Sequence, residues 1–232
     1  MNRSSQSLSH DRDRGAVRGH RGGRQSAPYH PHIDPANFQT AIDHPYYPLV
    51  PGTSYRLIEK QGKQTSENEI TVTHDTKVIM GVTCVVVAGR GARERRRDRG
   101  DQRLVRAGHE RQRLVLGEDT KEHDGDDGQH RGLVAGWRRS QPAGIIMPAH
   151  PKPGPAYRQE YSPGNAEDMG QIAAVNDSVT VPYGTFRDCA RTKEWSLLEP
   201  GTEKKWYAKG IGLVRTESTT KEVAVLVSVT KP

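Results

Sequence analysis

Most of the chain alternates apolar and polar residues with a period of two, and no long stretch repeats every three to four positions. That is the pattern of half-buried strands rather than amphipathic helices. "IDPANFQTAIDHPYYPLVPGTSYRLIEKQG" opens the patterned region. Pro45, Pro48 and Pro51 forbid a regular helix there, and Tyr46, Tyr47 and Leu49 are expected to anchor on a core. Thr53–Glu59 reads as a strand. "ENEITVTHDTKVIMGVTCVVVAG" is rich in Val, Ile and Thr and reads as two strands, with the turn expected at His74–Thr76. "PAGIIMPAHPKPGPAYRQEY" is extended and runs into a strand at Ala156–Tyr161, while "PGNAEDMGQIAAV" reads as a loop with room for one helical turn. "DSVTVPYGTFRDCARTKEWSLLEPG" alternates around a turn at Tyr183–Gly184. The last segment reads as three short strands with turns at Lys209–Gly212 and Glu217–Thr220. The expectation is an all-β fold, an antiparallel meander forming an open curved sheet or sandwich, in one domain over residues 32–231.

Two regions break the pattern. Residues 1–31 are polar and rich in Arg, Gly and Ser, and are expected to be a disordered tail. Residues 88–141 lose the alternation, apart from 116–124, and are expected to be a poorly structured, non-native interruption whose strands are missing. These regions also account for the charge. The net charge is +7 and the mean hydropathy −0.84. Residues 88–115 alone hold ten Arg against two Asp and two Glu, and residues 1–25 hold six Arg against two Asp. The patterned remainder is therefore acidic, so the basic total does not describe a nucleic-acid-binding domain. No run of 18 apolar residues could cross a membrane, and residues 1–25 lack the apolar stretch of a secretory signal in the printed frame.

The Arg-rich block changes character at Leu116, and its paired Leu-Val dipeptides suggest why. Reading its codons one nucleotide later permits D-W-Y-A-Q-D-T-N-G-N-V-W-Y over Arg103–Val115, which joins in frame to Leu116. Two Trp-Tyr pairs then flank Asn-Gly, the strongest short-range hairpin signal. Extended back to Ala88, the shift permits R-D-E-V-R-E-N-G-D-V-I-E-E-T-S, a second strand–Asn-Gly–strand pattern. Gly128–Arg138 permits V-S-T-E-G-S-W-Q-A-G-V, and Asp11–Arg24 shifts to a Val/Ala/Ile run like the core of a signal. The competing reading is a genuine Arg-rich insertion, suited to RNA but without the interleaved aromatics that stack on bases.

Several strings carry a resemblance: "IDHPYYPLVPGTSYRL", "VTHDTKVIMGVTCVVV", "LGEDTKE", "GIIMPAHPKPGPAYRQEY", "SVTVPYGTFRDCARTKEW" and "WYAKGIGLV". With the shifted stretches repaired, the chain resembles a family of uncharacterised bacterial proteins, β-rich and in many cases exported or lipoprotein-like. The resemblance covers about residues 32–88, 116–124 and 143–217. It implies an exported or cell-envelope location and a β fold more than an activity.

Candidate chemistry is sparse. In an exported chain Cys84 and Cys189 could form a disulfide; the alternative is two buried thiols. There is no C-x-x-C, and no metal or cofactor site is expected. His30 and His32 with Asp34 form the nearest approach to a ligand set, on a proline-broken segment. His44, His74 and His150 read as surface-loop residues. Asp75, Glu118, Asp119, Glu160, Glu167 and Asp168 could supply a carboxylate pair for glycoside hydrolysis, but any acidic β protein offers as many. Trp195, Trp206 and Tyr207 read as core or cross-strand pairs. "KGIGLV" lacks the Lys-Ser/Thr of a phosphate loop. The leading expectation is a non-enzymatic envelope or exported protein binding an unknown ligand or partner. A hydrolase using carboxylate or His chemistry is the first alternative, and an Arg-rich RNA binder the second.

The frame reading predicts that independent nucleotide reads across codons 85–145 show one-base gains and losses near codons 88, 116 and 128, with Trp-Tyr codons in the restored frame. The printed frame recurring in every read sinks it.

Overall fold

The computed structural model describes residues 29, 31–39, 41–92, 99–108, 113–122 and 142–232, with backbone alone for residues 39, 91–92, 99–108 and 113–122. The expected tail up to residue 28 and the shifted patch at 128–138 lie outside the described residues.

The fold is all-β and antiparallel, an open curved sheet. A short strand β1 (Phe38–Gln39) and a hairpin of β2 (Asp43–His44) and β3 (Tyr47–Pro48) precede two meanders. The first runs through β4 (Ser54–Gln61), β5 (Gln64–Ile79), β6 (Val82–Ala92), β7 (Arg99–Gly108), β8 (Arg113–Glu122) and β9 (Gly144–Met147). The second comprises β10 (Tyr157–Arg158), β11 (Asp168–Val181), β12 (Gly184–Ser196), β13 (Glu203–Ala208), β14 (Gly212–Ser218) and β15 (Glu222–Thr230). The final strand pairs with the start of the first meander, β15 with β4 from Thr230↔Ser54 to Glu222↔Gln61. The order is therefore β10 to β15 and then β4 to β9, leaving β9 and β10 as the two edges. The edges meet at one point: a Cβ on Gly144 would lie 1.7 Å from the Gln159 carbonyl oxygen. A curved sheet thus ends in a seam that only a glycine permits.

The β2–β3 hairpin fills the inner face. Ile42 and Leu49 pack with Val72, Val85 and Val87 of the first meander. Tyr46 packs with Ile146, Met147, Ile172, Ala190 and Tyr207, mostly from the second. Tyr47 touches both groups. A third cluster, around Leu57, Val214 and Leu226, continues the interior through Tyr55 and Ile70. Tyr46, Tyr47 and Leu49 are therefore the anchors the sequence pattern indicated. The hairpin's polar groups are satisfied as it is buried. The Tyr46 hydroxyl donates to the Asp188 carbonyl (3.0 Å), and the Gly210 N–H donates to the Pro45 carbonyl (2.8 Å).

Three local expectations are corrected. The turn placed at His74–Thr76 is a register break inside a continuous β5, where Thr73 Oγ1 accepts the Asp75 N–H at 3.2 Å. The reversal comes at Met80-Gly81, whose φ values of 51° and 80° between the Ile79↔Val82 pair make a two-residue hairpin turn. Met is an unusual residue for that conformation, so the sequence hid it. "PGNAEDMGQIAAV" is a tight turn followed directly by β11 rather than a loop. The turn expected at Tyr183–Gly184 falls one residue earlier, at Pro182–Tyr183, between Val181 and Gly184.

Among the described residues, part of the Arg-rich segment's backbone pairs in the sheet as β7 and β8. Backbone pairing is available to any side-chain sequence, and both partner strands offer free edges there. β7 pairs with β6 from Val85↔Val105 to Gly91↔Arg99 and with β8 from Arg99↔Glu122 to Ala107↔Arg113.

Gly144→Ala should destabilise the protein by about 1–3 kcal/mol through overpacking at the seam. Gly154→Ala, whose Cβ would find only an ordinary 3.6 Å contact, should leave stability nearly unchanged. Paired urea unfolding curves check this, and equal midpoints would refute the seam contact.

Candidate functional site

β12 and β13 place a polar cluster on the inner face. Alternation puts Ala190, Thr192 and Glu194 on one side of β12, opposite Tyr207, Lys205 and Glu203 of β13. All three β12 residues are buried. The Glu194 carboxylate lies 2.7 Å from Lys205 Nζ and accepts the Thr192 hydroxyl at 2.7 Å and a hydrogen bond from Gln159. Lys205 also reaches Glu203 at 3.1 Å. Burial alone would raise the Glu194 pKa, but the Lys205 charge and the three hydrogen bonds outweigh it and hold the carboxyl below its ordinary value.

Tyrosines border this cluster. Burial and the nearby Glu194 charge raise both Tyr157 and Tyr207 well above the usual phenol range. The Tyr157 hydroxyl is buried without a hydrogen-bond partner among the described residues. Its ring and the Gln159 side chain occupy the space a Cβ on Gly170 would need. Tyr207 meets Tyr47 edge-on, with ring centroids 6.0 Å apart. Chemically the arrangement is static, with an ion pair held charged and phenols held neutral. A general acid needs its carboxyl raised instead.

The outer face of the same strands carries a second polar group. Trp206 Nε1 donates to Asp177 at 2.9 Å, and Arg191 Nε lies 2.8 Å from the same carboxylate, outside hydrogen-bond alignment. The Arg215 guanidinium stands 5.8 Å from the Trp206 ring centroid and bonds Glu217. Trp206 is thus a cross-strand residue between Arg191 and Arg215, as its pattern indicated. Trp195 pairs with Met169, and Lys193 Nζ lies 5.7 Å from its ring centroid.

The residues singled out from the sequence are scattered. His30 and the Glu118 and Asp119 side chains lie outside the description. His32 is exposed, and Asp34 caps a short 3₁₀ turn by accepting the Ala36 N–H at 3.0 Å. Among the described residues no group of three or more His, Cys, Asp or Glu could hold a metal ion. Asp75, His74 and His150 are exposed. Glu167 is bound to Arg158 (3.5 Å) and the Gly164 N–H (3.2 Å), and the Asp168 backbone pairs with Gln159 and Glu160. Those acids shape the turn before β11. His44, expected at the surface, is fully buried: Nδ1 accepts the Tyr46 N–H (3.1 Å), so Nε2–H donates to the Pro148 carbonyl (3.0 Å). Cys84 and Cys189 are both buried and lie in different hydrophobic clusters. Sequence reasoning missed Glu194. Its only signal was the period of two that aligns it with Ala190 and Thr192.

No family model and no curated protein matches the chain. A solved structure that does match is the 2.70 Å crystal structure of a "putative lipoprotein" from Parabacteroides distasonis ATCC 8503. It is 14% identical, with a TM-score of 0.43, and the match covers 81% of this chain and 99% of that one.

The pKa shifts set opposite limits on stability. Glu194 is lowered, so its contribution is present above about pH 4.5 and is lost as pH falls through its folded value. Burial raises Tyr55 from 10.0 to about 12 and Cys189 from 9.0 to about 11. The unfolded chain therefore releases these protons first, and stability falls as pH rises from about 9 to 12. Urea midpoints measured across pH should form a plateau with both limbs, and Glu194→Gln should flatten the acid limb. An unchanged acid limb would show that Glu194 is not held as described.

Proposed function

We propose that this chain is a bacterial envelope or exported protein whose β domain binds a ligand or partner and does not catalyse a reaction. The observation that carries the reading is the filled inner face. The concave side of the sheet, where a substrate cleft would need to open, is occupied by the chain's own β2–β3 hairpin. The buried acid beside it, Glu194, is paired with Lys205 and hydrogen-bonded to Thr192. The resemblance to exported and lipoprotein-like bacterial proteins implied by the sequence supports the location.

A partner would then meet the rim or the outer face. At the end of β12, Trp195 is followed by Leu197 and Leu198, which are 53% and 45% exposed. Adjacent exposed apolar side chains beside an aromatic residue suit contact with another surface.

The test compares binding to bacterial envelope membranes with turnover of a panel of chromogenic glycosides and esters. Binding is expected, with L197D/L198D weakening it about tenfold, a loss of roughly 1.4 kcal/mol, while circular dichroism stays unchanged. Hydrolysis abolished by Glu194→Gln would overturn the reading in favour of a hydrolase.

A further inference from the structure

We propose that Tyr29 and residues 31–39 form a releasable strap that locks the seam of the sheet and opens as a local unit while the interior stays folded. This does not depend on the binding reading above.

The strap spans the outside of the first meander. At one end the Tyr29 hydroxyl donates to the Ala143 carbonyl at 2.9 Å, just before β9. Its ring meets Tyr161, just after β10, edge-on at 5.6 Å. Tyr29 therefore stands across the two edges of the sheet, where Gly144 abuts Gln159. In its middle, Ile33 and Phe38 cover Val82, Cys84 and Val86 on the outer side of β6. Pro35 lies over the β5–β6 turn, 3.0 Å from where a Gly81 Cβ would be. At the far end, Phe38↔Gly108 and Gln39↔Ala107 make a two-residue pairing with β7.

The attachment is light compared with the sheet it crosses. Its pairing is two residues long, whereas β4 and β5 pair over eight. Pro31 and Pro35 contribute no N–H, and the 3₁₀ turn Pro35–Asn37 is exposed with no buried residue. Segments with few apolar contacts and few protected hydrogen bonds open at free energies well below global unfolding. Opening would bare the apolar strip on β6 and uncouple β9 from β10.

The chain carries its own reporters. Cys84 lies beneath the strap, while Cys189 lies in the interior cluster with Leu57, Val214 and Leu226. Those are the two cysteines of the chain. The experiment alkylates the full-length native protein without denaturant or reductant and follows each cysteine by peptide mass spectrometry. Cys84 should be modified at least about tenfold faster than Cys189, as local opening precedes global unfolding. Tyr29→Phe removes the hydroxyl bond and should raise the Cys84 rate by roughly two- to tenfold, leaving Cys189 unchanged. Phe38→Ala should do the same more strongly. Equal rates at the two sites, parallel acceleration in the variants, or no native modification of Cys84 would each overturn the proposal. So would the absence of free thiols after unfolding without reductant, which would mean the two cysteines are joined.

Discussion

Burial of the β2–β3 hairpin against the inner face is the contact on which the rest of the structure depends. A single curved sheet has an apolar concave side and no second layer of its own to cover it. Residues 41–51 supply that layer. Ile42 and Leu49 engage the first meander, Tyr46 the second, and Tyr47 bridges them. The hairpin can lie inside because its polar groups are paired. His44 uses both ring nitrogens, and the Tyr46 hydroxyl and the Pro45 carbonyl each reach the sheet. The three prolines that exclude a helix from this segment also reduce the number of N–H groups that need partners.

Curvature then decides where chemistry can and cannot occur. Pairing β15 with β4 joins the meanders into one surface and leaves two short edges that meet closely at Gly144. Near that seam, Gln159 contributes to the bonds around Glu194, so the buried ion pair and the edge strands are linked through one side chain. A buried carboxylate is costly unless paired, and here Lys205, Thr192 and Gln159 pair it. The same pairing that makes the cluster tolerable removes the proton mobility a hydrolase would use. Tyr29 stands at the same seam, bonded to the Ala143 carbonyl and edge-on to Tyr161.

The middle of the chain separates backbone from side-chain information. Residues 99–108 and 113–115 pair within strands even though their printed side chains show no period of two. A ladder of hydrogen bonds asks little of side-chain identity, whereas a hairpin core and a strong turn ask a great deal.

The strands, their antiparallel order in the last third and the Tyr46, Tyr47 and Leu49 anchors were legible in the sequence, because alternation and proline placement act locally. The Met80-Gly81 turn was not, since a strained φ at Met80 is held by the long β5–β6 pairing and leaves no compositional mark. The burial of His44 and Glu194 was hidden for a related reason. Each is polar and becomes stable inside only through partners distant in sequence: Pro148 for the first, Lys205 and Gln159 for the second. The sequence by itself determined which segments extend and which face of each strand is apolar. Only the tertiary structure decided that the last strand pairs with β4, that a hairpin lies inside the curve and that the two cysteines fall in different clusters. Those outcomes depend on packing between segments that alternation along one strand cannot specify.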